Sequence, residues 1–99
     1  MKKTDANTLF EIYKLQNELE RNVYPEDLIN RQILSKRSGQ RRVRELLEEG
    51  FLQEINEQGA NVYNLSLKGI DGMCAYRDIR IEYERYNEEQ NQMDEYVLE

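Results

Sequence analysis

The stretch from Ser38 to Leu52 reads S-G-Q-R-R-V-R-E-L-L-E-E-G-F-L and predicts an amphipathic helix that runs directly into a strand. Its apolar residues recur at helical spacing, at Val43, Leu46 and Leu47. Ser38 suits an N-cap, because its hydroxyl can accept hydrogen bonds from unpaired amides of the first turn. Gly50 suits the left-handed position just past a helix end. We therefore predict a helix at about 38–49, followed by an extended segment.

The charge of this region differs from that of the rest of the chain. Residues 31–44 contain six basic residues and no acidic one, although the 99-residue chain has a net charge of -6. The six are Arg31, Lys36, Arg37, Arg41, Arg42 and Arg44. A basic helix face on an acidic protein is a localised electrostatic signal that favours nucleic-acid binding. The alternative is an ordinary solvated face, in which Arg41–Glu45 and Arg44–Glu48 form i,i+4 ion pairs.

Length and composition indicate one domain, residues 1–99, with a modest core. Hydrophobic residues make up 38% of the chain and charged residues 34%, so pairing with a second copy would add stability. The sequence has no apolar run long enough for a membrane span and no signal-peptide pattern. With a single cysteine, Cys74, we expect no intrachain disulfide and a cytoplasmic location.

Two helices are predicted before the basic region. The first is capped at Asn7 or Thr8 and runs to about Arg21, after seven frayed residues. Val23-Tyr24-Pro25 then reads as a short extended segment, because a residue before proline avoids the helical region. Pro25 is suited to the first position of a second helix. That helix carries Leu28, Ile29, Ile33 and Leu34 and ends near residues 35–37, which gives a helix-turn-helix pattern.

After Gly50 the pattern changes from helical to extended. Turn-forming residues at 57–61 separate two apolar segments, and the second alternates at Tyr63, Leu65 and Leu67. We predict a two-stranded hairpin with its tip near Gly59. From Gly69 the pattern is helical to about Met93. The predicted fold is therefore mainly α with a small β-hairpin, divided into a core at 8–68 and one long C-terminal helix at 69–97.

The order of these elements and two motifs resemble the winged helix-turn-helix regulators of the MarR and PadR type. V-R-E-L-L-E-E-G-F-L (43–52) is similar to the end of their third helix and their first wing strand. V-Y-N-L-S-L-K-G-I (62–70) is similar to their second wing strand, commonly Tyr-x-Leu-Thr-x-x-Gly, with Ser66 in place of the threonine. The resemblance covers about residues 24–70, and small phage or plasmid regulators share the pattern. It implies a homodimer whose terminal helices pair, with each third helix in a major groove.

We predict a sequence-specific, double-stranded-DNA-binding protein, most simply a homodimeric transcriptional repressor. Ser38, Gln40 and Arg41 are the candidates for base edges, and arginine suits guanine O6 and N7. The predicted phosphate contacts are Lys36, Arg37, Arg42 and Arg44. In the wing, Gln58 and Asn61 could donate to DNA, but Glu54 and Glu57 argue against close approach.

Dimerisation is predicted through the C-terminal helix. The candidate interface residues are Ile70, Met73, Tyr76, Ile81, Tyr83 and Tyr86. The tyrosines could instead line a ligand pocket between paired helices, although interface residues with hydroxyls at the rim are the simpler reading. A rival function is an accessory factor whose acidic C-terminal helix or wing binds a host protein.

The sequence does not favour an enzyme. It has no histidine, so it lacks the commonest general base and metal ligand, and one cysteine alone cannot form a zinc site. It contains no glycine-rich phosphate loop and no Gly-x-Ser-x-Gly motif. We therefore predict no catalytic site, no metal and no cofactor.

Overall fold

The computed structural model describes the backbone of residues 1–98 and the side chains of residues 1–91. The described part is mainly helical with one small antiparallel sheet, which confirms the predicted combination of helices and a hairpin. The elements are α1 (Lys3–Leu19), α2 (Pro25–Asn30), α3 (Arg37–Glu48), β1 (Leu52–Glu57), β2 (Ala60–Leu65), α4 (Leu67–Cys74) and α5 (Arg77–Leu98). None of the described helices combines the length and the apolar character needed to cross a membrane.

The β-hairpin has the predicted position and turn. β1 pairs with β2 from Leu52↔Leu65 to Glu57↔Ala60, and Gln58 and Gly59 form the tip with φ of 54° and 85°. Two consecutive positive φ values belong to a type I′ turn, whose twist matches that of the strands. Glycine adopts a positive φ at a lower cost than glutamine does, so Gly59 is the residue that favours this turn.

In the predicted extended segment before Pro25, Val23 forms an isolated antiparallel bridge to β2. Val23 and Tyr63 form two backbone hydrogen bonds, N to O, of 2.9 and 2.7 Å. Both polar backbone groups of Tyr63 are thereby used on the edge of β2 opposite β1, so β2 is central. Pro25 is the first residue of α2, as predicted. The link between α1 and α2 is thus fixed to the hairpin.

A single hydrophobic cluster connects the helices and the hairpin. α1 supplies five of its buried residues, α3 two, the hairpin two, and α4 and α5 one each, and Val23 and Leu28 complete it. The buried set is Ala6, Leu9, Phe10, Ile12, Leu15, Val23, Leu28, Val43, Leu46, Leu52, Leu65, Met73 and Ile79. α1 is therefore the central helix against which α3, α4 and α5 pack.

The prediction of seven frayed N-terminal residues is wrong, because contacts distant in sequence order them. α1 begins at Lys3, before the predicted cap at Asn7 or Thr8 and before the predicted core boundary at residue 8. The ammonium group of Lys3 lies 2.7 Å from the carboxylate of Asp78 at the start of α5. The hydroxyl of Tyr76 also donates to the carbonyl of Met1 at 2.6 Å. The first turn is thus held by the C-terminal region.

The prediction of one continuous C-terminal helix from Gly69 is also wrong. The helical region begins at Leu67 and is divided into α4 and α5 by Ala75 and Tyr76. Leu67, predicted as the last inward residue of the second strand, is instead the first residue of α4 and is 81% exposed. The break lets α4 cover one end of α1 while α5 runs along its side.

The Leu-Ser-x-x-Gly part of the motif at 65–69 has a structural explanation. The Ser66 hydroxyl accepts the Gly69 amide at 3.0 Å and donates to the Gly50 carbonyl at 2.6 Å. It therefore caps α4 and attaches that helix to the start of β1. A Cβ on Gly69 would lie 2.0 Å from the Phe51 carbonyl oxygen, so only glycine allows this approach.

Candidate nucleic-acid interface

The end of α1 and the start of α2 are joined by an ion pair that fixes the position of α2. Two nitrogens of the Arg21 guanidinium lie 2.9 and 3.2 Å from the carboxylate oxygens of Asp27. The same carboxylate accepts the Tyr24 amide at 2.8 Å, so it caps the first turn of α2. Because the hydrogen bond from Arg21 stabilises its charged form, the pKa of Asp27 lies below its ordinary value.

α2 is shorter than the sequence predicts, and a tight turn connects it to α3. α2 ends at Asn30, so Ile33 and Leu34, predicted within it, lie in the turn. Gln32 adopts a left-handed conformation with φ of 62°, and the Ile33 amide donates to the Leu28 carbonyl at 2.8 Å. The turn therefore folds back on the end of α2 before α3 begins.

Gly39 lets α3 pack directly on this turn, a role that sequence analysis missed. A Cβ on Gly39 would lie 1.9 Å from the carbonyl oxygen of Ile33, although the residue is helical. The signal in the sequence was a glycine in the first turn of a predicted helix, where it costs about 1 kcal/mol relative to alanine. A glycine at a position where it lowers helix stability indicates that close packing leaves no room for a Cβ.

α3 begins one residue earlier than predicted. Its N-cap is Lys36, and Ser38 is an exposed residue of the first turn, so the assignment of Ser38 as the cap is wrong. Gly50 has φ of 80° and occupies the left-handed position after the helix, as predicted. The buried side of α3 is formed by Gly39, Val43 and Leu46.

The structure places the predicted DNA-binding residues together on the turn and on α3. All are exposed except Arg42, which is half-buried and whose Nε has no hydrogen-bond partner among the described residues. The Gln40 side chain is partly engaged, because its Nε2 donates to the Leu34 carbonyl at 3.1 Å. Five of these residues line a surface concavity of about 380 Å³, namely Arg37, Ser38, Gln40, Arg41 and Arg44.

The basic side chains of α3 are not neutralised by neighbouring carboxylates. Within residues 1–91 the ion pairs involve Lys3, Lys14, Arg21 and Arg31. Arg31, counted in the basic run, is paired with Glu18 of α1, a contact that no local pattern could indicate. The i,i+4 pairs Arg41–Glu45 and Arg44–Glu48 do not form there. This part of the surface therefore keeps five unpaired cations, at Lys36, Arg37, Arg41, Arg42 and Arg44.

The hairpin tip is exposed and acidic. Gln58 and Asn61, the predicted wing contacts, are both exposed, and so are Glu54 and Glu57. The Asn56 Oδ1 accepts the Gly59 amide at 3.2 Å, which removes one backbone donor from the tip. The side chains that remain available to a phosphate at this tip are the neutral amides of Gln58 and Asn61.

The residues predicted at a dimer interface mostly make contacts within the chain. Met73 is fully buried and Ile70 packs against the core, so neither is available to a second copy in this conformation. The Tyr83 ring lies 5.1 Å from that of Tyr13, and the Tyr86 ring lies 6.1 Å from it. α1 therefore covers the first turns of α5 within the chain.

Ile81 is the exception among the predicted interface residues, because its side chain is 42% exposed on α5. Tyr76 is half-buried and its hydroxyl is bonded to Met1, as described above. α5 also continues beyond the end of α1. Glu20, just past the end of α1, lines the same surface concavity as Gln90 and Asn91, and α5 extends from there to Leu98. The side chains beyond residue 91, including Met93, lie outside the described residues.

Comparisons with known proteins give no relative for this chain. No protein-family model matches it, and neither a curated protein nor a solved structure shows a significant match.

Proposed function

We propose that this chain is a sequence-specific, double-stranded-DNA-binding protein of the winged helix-turn-helix class, and that it acts as a homodimeric transcriptional repressor in the cytoplasm. α3 would occupy the major groove and the β1–β2 hairpin would be the wing. The proposal is one of binding without catalysis and without a cofactor. It extends the resemblance to MarR- and PadR-type regulators drawn from the sequence.

The topology supports the class of fold. Helix α1, the extended segment at Val23, α2, α3 and the hairpin follow one another in the order expected for a winged helix, and β2 lies between Val23 and β1. α2 and α3 are joined by a short, folded-back turn, as in a helix-turn-helix. This order places α3 at the surface, where a duplex can reach it.

The observation that carries the proposal is the group of five unpaired cations on the turn and on α3. Acidic residues outnumber basic ones by 20 to 14 in the chain, yet none lies within ion-pair distance of these five in the described residues. Binding a phosphate backbone would therefore not require the disruption of existing ion pairs. Each cation that neutralises a phosphate also releases counterions, which adds to the affinity.

The test is fluorescence anisotropy of a labelled random duplex titrated with protein at several salt concentrations. Five cations allow a slope of log K against log salt of up to about -4.5 per protomer, since each phosphate contact contributes about -0.9. Arg41→Gln and Arg80→Gln remove the same charge from exposed positions on α3 and α5. We expect the first to weaken binding and the second to leave it unchanged.

Two outcomes would contradict the DNA-binding proposal. One is the absence of binding at ~20 mM salt, where charge–charge attraction is barely screened. The other is equal weakening by Arg41→Gln and Arg80→Gln, which would mean that no particular face of the protein contacts the duplex.

Dimerisation is a separate part of the proposal and has its own test. A second copy would pack on the outer face of α5 around Ile81 and on the part of α5 that extends past α1. We expect the full-length protein to sediment as a dimer and Ile81→Glu to shift it towards the monomer. A monomer at all concentrations would remove the dimer and leave DNA binding by α3 intact.

The acidic hairpin favours one rival function, binding to a host protein. Glu54 and Glu57 are exposed there together with Ile55, which is 39% exposed. An apolar side chain between two carboxylates would suit a basic, partly apolar partner surface. Retention on heparin at low salt distinguishes the two functions, because an acidic protein that uses its hairpin should not be retained.

A further inference from the structure

The unpaired cations of α3 fall into two groups that differ in direction. At about 100° per residue, Arg37, Arg41 and Arg44 lie within a sector of about 60°, opposite the buried side of the helix. All three are exposed and line the same concavity. Arg42 lies on one flank, about 60° from the buried side, and its Nε is buried. Lys36 is the N-cap residue with an extended backbone, so it lies just before the first turn. The three arginines therefore form an outward row, with Arg42 to one side and Lys36 before the helix.

Direction determines what each group could contact in a duplex. An α-helix fills the major groove, so the side chains that point away from the protein body reach the base edges, and those on its flanks face the phosphate walls. Arginine presents two parallel donors that match O6 and N7 of guanine. Because the outward row has no intrachain ion pair in the described residues, both donors of each guanidinium are available.

The other polar side chains of α3 are less suited to reading bases. Gln40 already donates through Nε2 to the Leu34 carbonyl, so one of its two amide hydrogens is used within the chain and its side chain is held towards the turn. Further along the helix, Glu48 continues the outward row with the opposite charge, and Glu45 and Glu49 are also exposed. Contact with the duplex is therefore confined to the first two turns of α3.

We propose that Arg37, Arg41 and Arg44 each bind a guanine, so that the target of the chain is a guanine-rich major-groove site. The inference rests on the proposed DNA-binding function and deepens it. It differs from the sequence-based prediction, which assigned Arg37 and Arg44 to phosphates and Gln40 to bases. From Arg37 to Arg44 the helix rises by about 10.5 Å, equal to about three base-pair steps of 3.4 Å. The three guanines thus lie within about four base pairs.

The experiment is selection from a random duplex pool by the full-length protein and by single variants. We expect the wild-type protein to enrich duplexes with guanines within about four base pairs. Arg41→Ala and Arg44→Ala should each lose preference at a different guanine, by about 5- to 150-fold. Arg41→Lys keeps a donor and the charge but lacks the planar guanidinium fork, so it should lose part of the preference that Arg41→Ala loses. Lys36→Ala, the control, should weaken all sequences alike.

Chemical substitution of the selected site then tests the contact directly. Replacing one guanine by 7-deazaguanine removes the N7 acceptor and should weaken the wild-type protein. The same replacement should not change the affinity of the arginine-to-alanine variant that has already lost its contact with that guanine. Because the three arginines are exposed, their substitution should preserve the far-UV circular dichroism spectrum.

Failure of this inference is distinguishable from failure of the proposed function. If Arg41→Ala and Arg44→Ala weaken every sequence equally and the enriched motif is unchanged, these residues contact phosphates and the inference is overturned. If duplexes are retained but share no guanines, guanine reading is again overturned while DNA binding stands. If no duplex is retained at all, the proposed function is refuted and the inference with it.

Discussion

Replacement of Gly39 by alanine should destabilise the chain, even though alanine is the better helix former. The added Cβ would lie 1.9 Å from the Ile33 carbonyl oxygen, whereas an ordinary contact is about 3.5 Å. The backbones of the turn and of α3 would therefore have to separate by about 1.6 Å. Neither the added Cβ nor the carbonyl oxygen moves when a side chain changes rotamer, so no rotamer change can relieve the clash.

The expected loss follows from three contributions. Overpacking of this kind costs about 1–3 kcal/mol, and separation of the turn would also break the 3.1 Å hydrogen bond between Gln40 and Leu34, worth about 1 kcal/mol. The higher helix propensity of alanine returns about 1 kcal/mol. A net destabilisation of about 1–3 kcal/mol would lower the Tm by about 4–24 °C in a domain of this size.

The assay is urea unfolding followed by far-UV circular dichroism, with Gly72→Ala as the matched control. Gly72 is also helical, but its Cβ would first meet the flexible end of Met1, so this variant should be near-neutral. A Gly39→Ala protein at least as stable as the wild type would refute the close packing of α3 on the turn. The position of the outward arginines would then have to be reconsidered.

Three further changes test contacts elsewhere in the fold. Asp27→Asn should cost about 1–2 kcal/mol. Because Arg21 lowers the pKa of Asp27, the contribution of this carboxylate to wild-type stability should be complete above about pH 4 and be lost as the pH falls through the lowered pKa. In urea titrations the variant should show a smaller decline in stability, and part of the decline remains because the pKa of Asp78 is also lowered. Ser66→Ala should cost about 1–3 kcal/mol in the same assay, because it leaves the Gly50 carbonyl without its donor. Tyr83→Ala should lower the unfolding midpoint equally at all protein concentrations, since the ring packs on α1; a concentration-dependent effect would place it at a dimer interface.

Features that depend on local backbone chemistry could be predicted from the sequence. Pro25 at the start of α2 and Gly50 after α3 have the positions that their backbone preferences require. The hairpin tip at Gln58-Gly59 follows from the same rule, because a two-residue turn of this type needs positive φ. The apolar spacing of Val43 and Leu46 likewise identified the buried side of α3.

Features that depend on contacts between distant residues could not be predicted in this way. The first turn of α1 is held by Asp78 and Tyr76, which are more than 70 positions away along the chain. The tyrosines of α5 were predicted to lie at a dimer interface, because the sequence does not show that Tyr13 covers them. The ion pair between Arg31 and Glu18 removes one cation from the basic region, and it could not be predicted from the sequence for the same reason.

The distribution of ion pairs separates the cations that stabilise the fold from those left available for binding. Lys3 joins α1 to α5, Arg21 joins the end of α1 to α2, and Arg31 connects the turn to α1. Each of these cations lies where two elements meet, and each is paired. Apart from the half-buried Arg42, the cations of the turn and of α3 are exposed, and within residues 1–91 none of them is in an ion pair, although acidic residues predominate in the chain. Residues 31–44 carry +6 and the whole chain -6, so the remainder carries -12. In the proposed function this acidic remainder would repel a duplex from every other face and leave α3 as the surface at which it can dock.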